Sequence, residues 1–254
     1  MIRSQRVSDH ILWAKIDRPE ARNAINFKVI DQLEDLVSEL ETDDSIKVFI
    51  FSGAGRTSFI AGGDLKEFHT ITQKSEAINV SERMQKLFRR IEELPCWNIA
   101  FINGDAYGGG IECMMAFDFI LSASHSKFGF TQGRFYLTPG WGGLTRLIER
   151  VGRSKALEWQ GKAEIKSAQQ LLHHNFINAI VEEQSVLDWA EPLLKNGRDF
   201  IKTLKQNSGI KSPERFKKMK AEIEPFADLW VDENHTSRVE KFIQKNKKKT
   251  RNPL

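Results

Sequence analysis

The sequence has 254 residues, of which 40% are hydrophobic and 28% are charged. A chain of this length and composition can bury a core of its own, which excludes an intrinsically disordered protein and a small scaffold held by disulfides or metal. The net charge of +4 suits an anionic small molecule or simple solubility. We expect no nucleic-acid partner, because such binding requires basic residues concentrated on one face.

The cysteine content and the hydropathy pattern indicate where the protein works. Cys96 and Cys113 form no C-x-x-C pair, so neither a disulfide framework nor a structural metal site is expected. The N-terminus lacks an apolar signal core, and no stretch approaches the roughly 18 to 20 apolar residues that span a bilayer. We therefore predict a cytoplasmic protein with no membrane partner.

The first two-thirds of the chain alternates strand-like and helix-like segments. Residues 11–16 are strand-like and are followed by a helical pattern after a candidate N-cap at Asn26. Residues 47–51 form a second strand-like run, a long helical pattern stops at Pro95, and residues 98–102 form a third strand-like run. This alternation predicts an α/β fold with a substantial parallel component.

The last part of the chain has a different character. After about residue 183 the strand signals end, and charged, helix-favouring sequence follows. We therefore predict a core of residues 1–183 and a helical C-terminal region of residues 184–254. The run from Lys245 to Arg251 is a basic tail and is interpreted as a solvated charge run.

Two glycine-rich segments, residues 61–64 and 104–110, follow strand-like runs. The second continues into a helical pattern, and free N–H groups at a helix start can stabilise a phosphate or a developing oxyanion. Tight turns are the alternative explanation for such glycines. The sequence has no phosphate-loop motif, no G-x-S-x-G nucleophile elbow and no H-E-x-x-H motif, which excludes the corresponding nucleotide-binding, hydrolase and metalloprotease classes.

Four segments, in order along the chain, resemble the crotonase (enoyl-CoA hydratase/isomerase) superfamily. They are residues 18–24, 59–68, 103–118 and 128–147. The resemblance implies a spiral of ββα units with a C-terminal α-helical region that mediates trimerisation or covers the pocket. It also implies a homotrimer or a pair of trimers that acts on an acyl-CoA thioester through an enolate, with an acyl carrier protein as an alternative carrier of the acyl group.

The resemblance also implies which residues form the site. The backbone N–H groups of Gly63 and Gly109 would form the oxyanion hole, and Glu112 would transfer the proton. No separate cofactor or metal is expected, because coenzyme A is part of the substrate. The residues expected to contact it are Arg22, Ala24, Ala61, Asp64 and Leu65.

One position departs from the family's hydratases, which use two glutamates spaced by 20 residues. Glu112 occupies the first position and Gln132 the second. A glutamine orients water but exchanges no proton at ordinary pH, so double-bond isomerisation or decarboxylation by a single acid is favoured over hydration. In the absence of the resemblance, Glu112 would be interpreted as a residue that complements a helix dipole.

A second departure is Trp141 in a Pro-x-Trp-Gly-Gly pattern, which is similar to the branch of the family that decarboxylates malonyl-type CoA thioesters. Trp141 is either a packing aromatic or a wall of the pocket. The alternative from another functional class is a catalytically silent scaffold of the same fold that binds acyl-CoA or RNA.

Overall fold

The computed structural model describes residues 1–251, with side chains described up to residue 245. The strands in chain order are β1 (Ile2–Ser8), β2 (Ile11–Ile16), β3 (Val48–Gly53), β4 (Ser58–Ile60), β5 (Trp97–Ile102), β6 (Asp105–Tyr107), β7 (Phe119–Ser122), β8 (Lys127–Gly129), β9 (Ile165–Ser167) and β10 (Ala179–Ile180). They form two sheets, of which one has the order β1-β2-β3-β5-β7-β10 and the other the order β4-β6-β8-β9.

The helices surround these sheets and continue to the end of the described chain. They are α1 (Phe27–Thr42), α2 (Leu65–Phe68), α3 (Lys74–Glu93), α4 (Gly109–Met114), α5 (Gly143–Val151), α6 (Arg153–Lys162), α7 (Ala168–His173), α8 (Val186–Ala190), α9 (Arg198–Asn207), α10 (Pro213–Lys220), α11 (Ile223–Trp230) and α12 (Glu233–Arg251). A short 3-10 helix, Thr131–Phe135, lies between β8 and α5.

The chain enters the two sheets alternately. From β3 to β8, odd-numbered strands join the larger sheet and even-numbered strands join the smaller one, and helices follow β4, β6 and β8. Neighbouring strands of this series are parallel within each sheet, whereas β1 pairs with β2 in antiparallel orientation. The predicted spiral of ββα units is thereby confirmed, and it places the ends of β4 and β6 side by side.

The core lies between the larger sheet and the helices. β3 is buried along its whole length because it lies inside the sheet and is covered on both faces. The stacked rings of Phe51 and Phe117, 5.7 Å between centroids, join this strand to the segment that follows α4. Burial of apolar surface of this kind stabilises the fold.

The elements predicted from long patterns are confirmed, and short elements were missed. β2 spans the predicted residues, and α1 begins at the predicted cap, where Asn26 Oδ1 accepts from the Val29 N–H at 3.0 Å. Helix α3 ends at Glu93, two residues before Pro95. β1 and the three-residue strands of the smaller sheet were not predicted, because so few residues carry no clear alternation.

After Ile180, every regular element within residues 1–251 is helical, as the sequence predicted. Helix α11 packs against α3 of the core, and the division at residue 183 into two units stays a prediction. The basic tail begins at Lys245, beyond which the side chains lie outside the described residues. Within the described part of the chain, no helix is both long and apolar enough to cross a membrane.

Candidate active site

The parallel strands β4 and β6 bring the two glycine-rich segments together. A Cβ atom placed on Gly62 would lie 3.7 Å from the amide nitrogen of Gly109, so the two segments are in contact. Gly109 is the first residue of α4, where a helix leaves its N–H groups unpaired. Among the described residues, neither the Gly63 nor the Gly109 N–H has a hydrogen-bond acceptor. The two predicted donors are therefore free to bind an oxygen atom.

Both positions require glycine because of close packing. A Cβ atom on Gly109 would lie 2.3 Å from Cζ3 of Trp141, and one on Gly63 would lie 2.8 Å from the Phe68 ring. Such distances are far shorter than van der Waals contact. Any side chain would displace an aromatic ring. This packing explains why both residues are glycine, and a tight turn is not needed as an explanation.

The carboxylate of Glu112 lies at 4% exposure and is held by three donors. Its Oε2 accepts from the backbone N–H of Trp141 at 2.8 Å and from that of Gly143 at 3.1 Å. Its Oε1 accepts from Nε2 of Gln132 at 3.2 Å. The structure thus brings together the two residues that the sequence analysis paired, and it adds two backbone donors that the analysis did not predict.

This environment changes the acidity of Glu112. Burial is the largest effect and raises the pKa of Glu112 to about 7, and the nearby charge of Glu222 acts in the same direction. The bonds from Trp141 and Gln132 only partly oppose this rise. No ion pair reaches Glu112 within the part of the chain whose side chains are described. At neutral pH the residue therefore populates both its acid and its carboxylate form.

Gln132 lies in the 3-10 helix between β8 and α5 and is buried. Its Nε2 donates to Glu112, whereas its Oε1 is buried and has no hydrogen-bond partner among the described residues. An unpaired buried carbonyl oxygen is costly. The amide is therefore ready to accept a hydrogen bond from a group that enters the site.

A second carboxylate lies at the start of α5. Glu222 accepts from the backbone N–H groups of Leu144 at 3.2 Å and Thr145 at 2.8 Å, next to the Gly143 N–H that binds Glu112. Burial raises the pKa of Glu222 above its ordinary value. The sequence analysis missed this residue because it comes from the C-terminal region, far along the chain from α5.

The five residues predicted to contact coenzyme A lie near the start of α2. Exposed Arg22 has a left-handed backbone, with φ of 53°, and its carbonyl accepts from the Ala61 N–H at 3.1 Å. Leu65, half-buried, is the first residue of α2, and Asp64 Oδ1 caps this helix by accepting from the Lys66 N–H at 3.1 Å. Their role toward coenzyme A stays a prediction.

Arg18 connects the segment that holds Ala24 to the segment that holds Asp64. Its guanidinium donates to the Ala24 carbonyl at 2.6 Å and to Asp64 Oδ2 at 2.9 Å. The sequence analysis included Arg18 in a motif but gave it no role. The structure shows that it positions the two segments on which the predicted coenzyme A contacts lie.

The described residues contain no group of three His, Cys, Asp or Glu side chains that could hold a metal ion. Cys96 and Cys113 are buried free thiols, and burial raises the pKa of Cys96 to about 11 and that of Cys113 to about 12. Both remain protonated at neutral pH and are therefore poor nucleophiles.

The family model for enoyl-CoA hydratase/isomerase matches residues 6–251. The chain belongs to this family. The match spans the glycine segments, Glu112 and the C-terminal helices, and it confirms the crotonase resemblance found in the sequence.

Individual relatives show how varied this family is. The chain is 31% identical over 241 residues to a short-chain-enoyl-CoA hydratase of Clostridium acetobutylicum, covering 91% of this chain and 90% of the relative. It is 32% identical over 204 residues to an ethylmalonyl-CoA decarboxylase of Xenopus laevis, covering 78% and 68%. The solved enoyl-CoA hydratase of Bacillus halodurans, at 20% identity, has the same fold, with a TM-score of 0.87 over 94% of this chain and 99% of that one.

Proposed function

We propose that this family member decarboxylates a malonyl-type acyl-CoA thioester and uses Glu112 as the single acid. The observation that carries the proposal is the pairing of a buried glutamate, whose pKa is raised to about 7, with the amide of Gln132. Hydration by paired carboxylates requires a second group that exchanges protons, and glutamine does not. Decarboxylation requires one acid and no base.

The reaction balances with the groups present. The bond between the α-carbon and the substrate carboxylate breaks, carbon dioxide leaves, and the electron pair passes into the thioester to form an enolate. The free N–H groups of Gly63 and Gly109 bind the enolate oxygen. Protonated Glu112 then gives its proton to the α-carbon, which forms the shortened acyl-CoA, and solvent reprotonates the carboxylate.

Gln132 can form a hydrogen bond to Glu112 in either protonation state of the carboxyl group. With Glu112 ionised, Nε2 of Gln132 donates to Oε1 of Glu112, as in the structure. With Glu112 protonated, a half-turn of the amide lets Gln132 Oε1, which is otherwise unpaired, accept the carboxyl proton. Glutamine can thus form one hydrogen bond to Glu112 in both states, whereas a second carboxylate would repel the ionised one.

Isomerisation of a 3-enoyl thioester is the second candidate. The same pKa of about 7 leaves part of Glu112 ionised at neutral pH. The carboxylate form would remove a proton from C2 of the acyl group and return it to C4, and the same two N–H groups would bind the enolate. This route also uses one carboxyl group only.

The two reactions and hydration are separable by their products. The protein is incubated in D2O with ethylmalonyl-CoA, a 3-enoyl-CoA and a 2-enoyl-CoA, and the thioesters are analysed by chromatography and mass spectrometry. Decarboxylation yields butyryl-CoA with one deuterium at the α-carbon. Isomerisation yields the 2-enoyl thioester, and hydration adds one water.

The matched control is Glu112→Gln, which keeps the shape of the side chain and removes its proton chemistry. We expect this variant to lose the decarboxylation. Rapid hydration of the 2-enoyl thioester by the wild type would contradict the proposal. Tight binding of all three thioesters with no turnover would favour the silent scaffold.

A further inference from the structure

The indole of Trp141 lies against both glycines that carry the proposed oxyanion donors. Its Cη2 atom would be 2.8 Å from a Cβ atom on Gly109 and 3.6 Å from one on Gly63. The backbone N–H of the same tryptophan binds Glu112 at 2.8 Å. One residue therefore touches all three groups between which the reacting carbons must lie.

The ring is fixed by its aromatic neighbours. It meets Phe68 edge-on with 6.5 Å between ring centroids, and Phe88 in the same way with 6.0 Å. Both phenylalanines are buried, as is Trp141. Packing against these two rings restricts the movement of the indole.

The backbone of Trp141 is fixed as well. Its carbonyl accepts from Nη1 of Arg146 at 2.9 Å, and its N–H donates to Glu112, so both peptide groups that flank the residue are held. Arg146 is itself held by Glu92 through two bonds, at 2.9 Å and 2.8 Å. A long acyl chain therefore cannot displace the ring without disturbing a buried, charged network.

We infer that Trp141 is the specificity-determining residue of this site and limits it to short acyl groups, such as the methylmalonyl and ethylmalonyl classes. This inference rests on the proposed function, because it needs an acyl-CoA thioester bound at Gly63 and Gly109. Since the indole contacts both glycines and its own N–H binds Glu112, we expect the carbons beyond the α-substituent to reach the indole ring. The ring thus excludes medium and long chains by steric contact.

The test measures binding of saturated thioesters, which undergo none of the three reactions. Titration calorimetry compares propionyl-CoA, butyryl-CoA and octanoyl-CoA on the wild type, Trp141→Leu and Trp141→Phe. We expect the wild type to prefer the two short thioesters. Trp141→Leu is expected to shift the ratio of octanoyl-CoA to butyryl-CoA affinity by about 10- to 100-fold, as small changes in apolar pockets do, and Trp141→Phe by less.

Trp13→Leu is the matched control, because Trp13 is equally buried but packs against Phe101 in the second apolar cluster. We expect it to lose stability and to keep the wild-type preference. Equal affinity of the wild type for butyryl-CoA and octanoyl-CoA would overturn the inference and leave the proposed function intact. Failure of the folded wild type to bind any of the thioesters would overturn the proposed function, and the inference with it.

Discussion

Two buried glutamates, Glu92 on α3 and Glu112 on α4, are each 4% exposed, yet they lie in different electrostatic surroundings. Glu92 pairs with the guanidinium groups of Arg146 at 2.8 Å and Arg215 at 2.7 Å. Although burial alone would raise its pKa, the charges and hydrogen bonds of these arginines hold the pKa of Glu92 below its ordinary value. Among the described residues Glu112 accepts hydrogen bonds only from neutral donors, and burial raises its pKa to about 7.

The comparison shows that burial by itself does not determine what a carboxyl group can do. Two cations make Glu92 a permanent anion, which suits a structural role. Glu112 forms no such ion pair among the described residues, so the nearby charge of Arg146 only partly offsets the effect of burial. Glu112 therefore stays partly protonated at neutral pH, which suits an acid. The two sites are neighbours, because Arg146 binds both Glu92 and the carbonyl of Trp141, whereas the Trp141 N–H binds Glu112.

The largest expected effect is that of Glu112→Gln. Loss of the acid should lower the turnover of the proposed substrate by about 10²- to 10⁴-fold. The folded protein should become more stable at about pH 8, by up to about 3 kcal/mol, because ionisation of Glu112 opposes folding above its unfolded pKa. Steady-state kinetics and urea unfolding measure the two effects. Unchanged turnover would remove Glu112 from the mechanism.

Glu92→Gln should act in the opposite direction on stability. It leaves the charges of Arg146 and Arg215 buried without their partner, which should cost about 3–5 kcal/mol in the free energy of unfolding. Urea unfolding at neutral pH measures the loss. Glu158→Gln is the control, since Glu158 pairs with lysines at an exposed site and should change little. An unchanged free energy of unfolding for Glu92→Gln would show that the two arginines do not need the charge of Glu92 for stability, which would contradict the structural role given to it here.

The pH dependence of kcat/KM should distinguish the two candidate reactions. Decarboxylation uses protonated Glu112, so its rate should fall as the pH rises through about 7. Isomerisation uses the carboxylate, so its rate should fall as the pH drops through the same value. Glu92, with a lowered pKa, should contribute no transition in this range. A profile that is flat around neutral pH would contradict the assignment of either form of Glu112.

The smallest expected effect is that of Glu222→Gln. The single amide oxygen can still accept from the Thr145 N–H, whereas the Leu144 N–H loses its acceptor. The charge that raises the pKa of Glu112 is also lost. The decarboxylation profile should move to lower pH by less than about one unit. Glu224→Gln is the control, because Glu224 is exposed and pairs with Lys74. An unmoved profile would show that Glu222 is only a helix cap.

The sequence predicted the parts of the site that belong to local motifs. Gly63, Gly109 and Glu112 could be named as candidates because each lies in a recognisable segment, and the family's spacing of 20 residues between the two glutamate positions pointed to Gln132. Their catalytic roles stay predictions. The sequence did not predict the raised pKa of Glu112, because that depends on burial and on which charged groups the fold brings near the carboxyl group. Nor did it predict Glu222, whose partners lie on another helix and whose own segment carries no motif.

The position of Glu222 also has a consequence for the order in which the molecule forms. The bonds from Leu144 and Thr145 to Glu222 span 78 and 77 residues. During synthesis the N-terminal part of a chain emerges and folds first. The start of α5 therefore waits, with these amides solvated, until the C-terminal region has been made and has docked. The part of the electrostatic setting of Glu112 that comes from Glu222 is therefore completed only after the C-terminal region has docked.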